Sequence, residues 1–205
     1  MNLANLPFSV FDLLVVAVVA AGLVSGRKRG MSVELLDLAK WLAVLFVAGA
    51  AYGVLGRQLA QSIGLFGLLS WYLLAYLFTA LLIFILFALL KRAVHGKLLG
   101  SDIFGRGEYY LGMVSGMARY SCVLLAALAL LNARAYSPLD VRAMRDFQNV
   151  QFGSEFFPTL QSFQASVFQK SCSGPWIRRN LDFLLIKPTE PEHRQYHPRE
   201  VKVGF

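Results

Sequence analysis

A run of about 18 nearly unbroken apolar residues, Phe8 to Ser25, stops abruptly at Arg27-Lys28-Arg29-Gly30, and a helix needs roughly 20 such residues to cross a bilayer. A second apolar helix begins at once, opening with Glu34, Asp37 and Lys40. A tight, strongly positive turn between two apolar helices marks a cytoplasmic connection. The chain is 57% hydrophobic and 16% charged, more apolar than an ordinary soluble domain. This predicts an all-α, polytopic membrane protein with four transmembrane helices, at about 8–25, 33–55, 63–90 and 108–131. An amphipathic helical tail, 136–186, and a disordered C-terminus, 187–205, follow.

The net charge of +8 does not indicate nucleic acid. Its basic residues sit at helix ends and in the tail, not on one face interleaved with aromatics. Cys122 and Cys172 are read as free thiols, since neither has metal-ligand spacing around it. Met1 to Phe11 carries no Lys or Arg, so the basic region of a cleavable signal is missing. The positive charge follows the first helix instead, which places the N-terminus outside.

Each helix brings a question. In the first, Gly22 and Gly26 are four apart, the spacing that lets helices approach closely in lipid. Asp12 reads as a first-turn carboxylate in the headgroup region, favoured by the helix dipole, with a buried acid as the alternative. In the second, the uncharged run Trp41–Leu55 is only about 15 residues against the roughly 20 needed. That deficit draws Glu34, Asp37 and Lys40 toward the membrane or thins the bilayer. The three lie i, i+3, i+6 on one side of a helix, either as a solvated helix end or as a charged face turned into the bundle. Gly49 and Gly53 form another small-residue pair. Gly56 to Ser62 reads as a polar connection. The third helix has no charge and is expected to face lipid, with Trp71, Tyr72 and Tyr76 as an interfacial anchor. Lys91, Arg92, His95 and Lys97 then open a glycine-containing loop.

The fourth helix carries Gly112 and Gly116, with Arg119 three residues on. Arg119 lies about 16 Å along the helix from Glu108, close to mid-membrane. An arginine there costs from ~3 to over 10 kcal/mol unless it snorkels or pairs. Glu34, Asp37 and Glu108 are the acids on its side of the membrane. An intramembrane charge cluster of Glu34, Asp37, Lys40, Glu108 and Arg119 is therefore the candidate site.

In the tail, Leu139–Val150 reads as a polar helix. Phe156–Phe168 and Trp176–Ile186 read as amphipathic helices that lie on the membrane, dock on a neighbour, or cap their own bundle. No catalytic constellation, cofactor motif or metal-ligand set stands out. His95, His193 and His197 are not placed near a nucleophile. The expectation is a protein that is not an enzyme, with no cofactor and no metal.

Two motifs resemble those of the colicin V production protein (CvpA) family. The first is Asp12, then Arg29-Gly30, Glu34 and Trp41; the second is Glu108, Gly112, Gly116 and Arg119. Glu108 stands where Asp is usual, Tyr109 where a basic residue is frequent, and Tyr120 where Gly is common. The resemblance covers about residues 8 to 135. It implies a small four-helix protein of the bacterial inner membrane, tied to production or export of a peptide toxin and to envelope function, with no established reaction. Some members carry a serine protease domain outside the membrane, which this chain lacks. The implied partners are the lipid bilayer, and further copies of the chain or envelope proteins. The charge balance predicts both termini in the periplasm and both basic loops in the cytoplasm. The competing expectation is an oligomeric channel or transporter whose polar path is lined by Arg119 and Glu34/Asp37. An intramembrane enzyme would need a second ionisable group near Arg119 that does more than neutralise it.

Overall fold

The computed structural model describes residues 9–63, 66–98, 107–152 and 159–190. These form α1 (Val10–Arg29), α2 (Met31–Ala43), α3 (Gly49–Ile63), α4 (Leu68–Leu98), α5 (Glu108–Asn132), α6 (Pro138–Phe152), α7 (Leu160–Ala165) and α8 (Ser173–Asn180). Four stretches are long and apolar enough to cross a membrane: α1, the run from Glu34 to Ile63, Leu68–Ala93 and α5. The tail beyond residue 190, read as disordered, lies outside the described residues, as do Phe156, His193 and His197.

Ser9 caps α1, with Asp12 reaching back to the Ser9 N–H to complete a capping box. Gly30 ends α1 and starts α2 at φ 74°, a conformation glycine adopts without steric cost. The chain thus reverses in a single residue. Yet α1 and α2 meet mainly through α5, which packs between them, while α3 packs along α4.

Glycines set the α1–α5 distance. Gly22 and Gly26 face Gly112 and Gly116, backbone against backbone. A Cβ on Gly22 would lie 2.7 Å from the Gly116 carbonyl oxygen, and one on Gly112 the same distance from that of Gly26. In lipid such packing replaces the hydrophobic drive between helices.

The second membrane stretch changes direction of contact halfway. A π-helical turn, Val44–Ala48, joins α2 to α3. One extra residue per turn rotates everything beyond it by about 100° relative to a continuous α-helix. The face of α2 therefore meets α5, whereas the following face of α3 meets α4.

Several boundary expectations need correcting. Gly56 to Ser62 is not a connection, because α3 continues to Ile63. Gly56 is buried, with the backbone of Trp71 and Tyr72 within 3.2 Å of where its Cβ would stand. Gly49 and Gly53 are not close-approach points: a Cβ on either would meet ordinary contacts, the Leu184 carbonyl oxygen at 3.9 Å and the end of Arg57 at 4.0 Å. The third membrane helix starts at Leu68, not at Ile63, and runs on to Leu98. Lys91, Arg92 and Gly96 are helical. Trp71 and Tyr76 are not an interfacial anchor; both are buried, and Tyr72 packs edge-to-face on Tyr52 at 5.5 Å. Leu77, Phe78, Leu81, Leu82 and Leu89 give α4 its exposed apolar face.

The tail folds back on its own bundle. Val167, Phe168, Ile177, Leu185 and Ile186 share a core with Phe11, Val44, Ala48, Leu128 and Ala129. The Lys187 N–H donates to the Tyr52 hydroxyl at 3.1 Å, and the Asn132 amide donates to the Ile186 carbonyl at 3.0 Å. Trp176–Ile186 is not one helix: α8 ends at Asn180, and Asp182–Leu184 form a 3-10 turn. Asp12 is not a solvated headgroup carboxylate. It is buried and accepts from the Cys172 N–H at 3.0 Å, the Ser173 N–H at 2.9 Å and the Ser173 hydroxyl at 2.5 Å. The start of α8 is thus pinned to the start of α1, with the carboxylate satisfying N–H groups that helix initiation leaves unpaired.

Candidate functional site: a buried charge cluster

Side chains on a helix lean toward its N-terminus. In α5 that end lies at Glu108, so Arg119 leans back toward the Gly30 turn. The first two turns of α2 place Glu34 and Asp37 there. Arg119 Nη2 lies 3.1 Å from Glu34 Oε1, and Nη1 lies 3.4 Å from Asp37 Oδ2. Nη2 also donates to the Ser25 hydroxyl of α1 at 3.1 Å. One guanidinium thereby touches three helices. Its outer face covers the Tyr120 ring at 4.8 Å.

The two acids differ. Glu34 is wholly buried. Its contact with Arg119 is ionic without being a hydrogen bond, and among the described residues neither of its oxygens finds a donor. Asp37 is the hub. Besides Arg119, Lys40 lies 3.2 Å away, Arg29 3.5 Å and Lys91 3.8 Å. The Lys40 and Lys91 side chains are 20% and 45% exposed, against 9% for Arg119. The charge thus grades from a dry pair, Glu34 with Arg119, to a wetter fan of cations around Asp37. Buried pairs are costly to break because the surviving partner loses its counter-ion.

Four of the five proposed cluster residues, Glu34, Asp37, Lys40 and Arg119, come together. Glu108 does not. It stands over the Gly30 turn, with its carboxylate 3.0 Å from where a Gly30 Cβ would be. The helix continues past Leu55 to Ile63, but through Arg57, Gln58, Gln61 and Ser62, so the uncharged apolar run stays short; Arg119 is the counter-ion that the buried acids of α2 meet. Sequence reasoning leaves Ser25, Arg29 and Lys91 out of the cluster. Ser25 could be found from its place between Gly22 and Gly26 on the face that α5 covers. Lys91 could not, because its position depends on α4 continuing past Leu90.

Of the other motif residues, Trp41 packs edge-to-face on Phe84 at 5.2 Å and helps join α2 to α4. Tyr109 lies under the Arg27 guanidinium at 4.9 Å; a basic residue there would repel Arg27. Tyr120 packs beside Gly22 and does not prevent the α1–α5 contact. Among the described residues, no three His, Cys, Asp or Glu side chains converge to hold a metal ion.

The geometry joins both motifs in one place: Gly30 of the first packs against Gly112 of the second, and the acid of the first meets the arginine of the second. No curated protein and no solved structure matches the chain. The profile of the family described as "Colicin V production protein" matches residues 11–164, past the membrane helices and into α7. The chain therefore belongs to the colicin V production protein family.

Proposed function

We propose that the chain is a non-enzymatic protein of the bacterial cytoplasmic membrane that supports toxin production or export, or envelope homeostasis, through protein contacts. The observation that carries this reading is the arrangement of its buried charge. Arg119 is neutralised by Glu34 and Asp37 of the same chain, so it ties three helices together. Beyond the membrane helices the chain turns large apolar side chains outward among charged ones: Leu139, Phe147 and Val150 on α6, and Trp176 on α8, are all exposed. Such residues suit an envelope protein or a second copy of the chain. The charge rule supports cytoplasmic basic connections and periplasmic termini.

The test is site-specific photo-crosslinking in cells from positions 147 and 176. Discrete adducts with envelope proteins or with a second copy are expected from at least one position. Monomer alone from both would defeat the reading.

One observation favours an oligomeric channel or transporter instead. A groove of about 420 Å³ between α2 and α4 is lined by Asp37, Lys40 and Lys91. Reconstituted vesicles separate the two readings. Vesicles with the protein should leak no faster than empty ones; flux that is lost in Arg119→Ala and Glu34→Ala chains would establish the channel.

A further inference from the structure

A second polar cavity, of about 240 Å³, lies where the tail meets the end of α5. Its walls are held by backbone and amide bonds. The Thr189 N–H donates to the Ala133 carbonyl at 2.8 Å and the Ala135 N–H to the Thr189 carbonyl at 3.0 Å. Gln164 donates to the carbonyls of Leu131 and Arg134, both at 3.0 Å. The cavity is therefore preformed.

Its lining is cationic. Arg134 and the exposed Arg178 both contribute, and among the described residues no Asp or Glu does. Neither arginine forms a salt bridge with a described residue; Arg134 lies over the Tyr136 ring and Arg178 over that of Phe168. Arg134 Nε and the Tyr136 hydroxyl are buried and lack a hydrogen-bond partner among the described residues. Orphaned polar atoms at such depth are rare, and a bound ion or water is one way to satisfy them. Burial pushes the Tyr136 phenol above its ordinary pKa, with Arg134 opposing, so the hydroxyl stays a donor at neutral pH. The volume is below the ~300–1,000 Å³ of sites for drug-sized ligands, too small for a nucleotide and suited to a small anion.

We propose that this cavity is an oxyanion site that takes a phosphate or carboxylate group through Arg134, Arg178 and the Tyr136 hydroxyl. Forked guanidinium donors match the geometry of such groups. The group arrives on a lipid headgroup or as a free anion, with the same chemistry in either case.

The test uses the full chain. Inorganic phosphate is titrated calorimetrically into delipidated protein in detergent. In parallel, native mass spectrometry counts the anionic lipids retained after extraction from phosphatidylglycerol bilayers. Saturable binding is expected in at least one arm. Arg134→Gln or Arg178→Gln should weaken it about tenfold or more, the worth of a charge-assisted hydrogen bond. Tyr136→Phe should weaken it severalfold, and Arg179→Gln, which does not line the cavity, should leave it unchanged. Retained lipid that is lost in the variants identifies a headgroup; phosphate binding alone identifies a free anion. Arg178→Gln and Tyr136→Phe preserve the packing, so they report even if Arg134→Gln fails to fold. The proposal is overturned if the parent binds neither phosphate nor lipid, or if binding is unchanged in Arg178→Gln and Tyr136→Phe.

Discussion

Replacing Arg119 with methionine keeps much of its volume and removes its charge. Glu34 then has no counter-ion, because Arg119 is its one salt-bridge partner among the described residues. Asp37 is different, since Lys40, Arg29 and Lys91 remain within 3.8 Å of it. The loss should therefore come mainly from one uncompensated, fully buried carboxylate. Breaking such a pair costs about 3–5 kcal/mol, which is roughly two to three and a half decades in the unfolding equilibrium. Glu34→Gln should cost less, about 1–3 kcal/mol, because Arg119 keeps Asp37 and Ser25. Removing both charges with Glu34→Met in the Arg119→Met background should recover most of the loss, as apolar replacement of a whole buried pair often does. The assay is reversible unfolding of the purified protein in mixed micelles, read as a double-mutant cycle. A coupling energy of about 3 kcal/mol or more is expected, at the top of the usual range for residues in contact. Additive single effects, or an Arg119→Met chain within about 1 kcal/mol of the parent, would refute the pairing argument.

Gly116→Leu should separate α1 from α5 and cost at least the ~1–3 kcal/mol of an overpacked contact; Gly53→Ala, where a Cβ meets only the flexible end of Arg57 at 4.0 Å, should be neutral or stabilise by up to about 1 kcal/mol in the same unfolding assay. Asp12→Ala removes the acceptor shared by Cys172 and Ser173 and should speed hydrogen exchange at those two amides, with about 1–3 kcal/mol lost; unchanged exchange would argue against the clasp. The Cys172 side is exposed and Cys122 buried, so a membrane-impermeant maleimide added outside intact spheroplasts should label Cys172 alone; labelling only after lysis would reverse the proposed orientation. Tyr136 has its folded pKa raised above the ordinary 10.0, so its contribution is complete below pH 10 and is lost as pH rises through the folded value. Alkaline melts should fall less steeply for Tyr136→Phe than for the parent.

Sequence and structure agree best where the lipid dictates the answer. In a bilayer core every backbone polar group must be satisfied within the chain, so a long apolar run has little choice but helix. That is why α5 is legible almost to the residue, and α1 at its start, although α1 runs on through Arg27, Lys28 and Arg29, which read as a turn in the sequence. The boundaries around α3 and α4 are less so. Gly56, Arg57, Gln58 and Ser62 look like loop residues, yet Gly56 is the close-approach point for Tyr72 and α3 passes through it. Lys91 and Arg92 look like a loop for a similar reason, although cations at the last turns of a helix are favoured by its dipole.

Within the site, the chain alone determined which charges are expensive. Arg119 sits about 16 Å into a membrane helix, and such a residue needs acids within reach, whatever the fold. Helical spacing also determined that Glu34 and Asp37 share a side. Which acid meets Arg119, and how, was a tertiary matter. It depends on α5 lying between α1 and α2, and on a π-helical turn that sends the charged half of the helix toward α5 and the rest toward α4. A single widened turn leaves no mark in hydropathy, because it changes the phase of the side chains and not their identity. The docking of the tail is the same kind of fact. The carboxylate of Asp12 and the N–H groups of Cys172 and Ser173 are about 160 residues apart, and no local pattern, with its reach of a few helical turns, could have joined them.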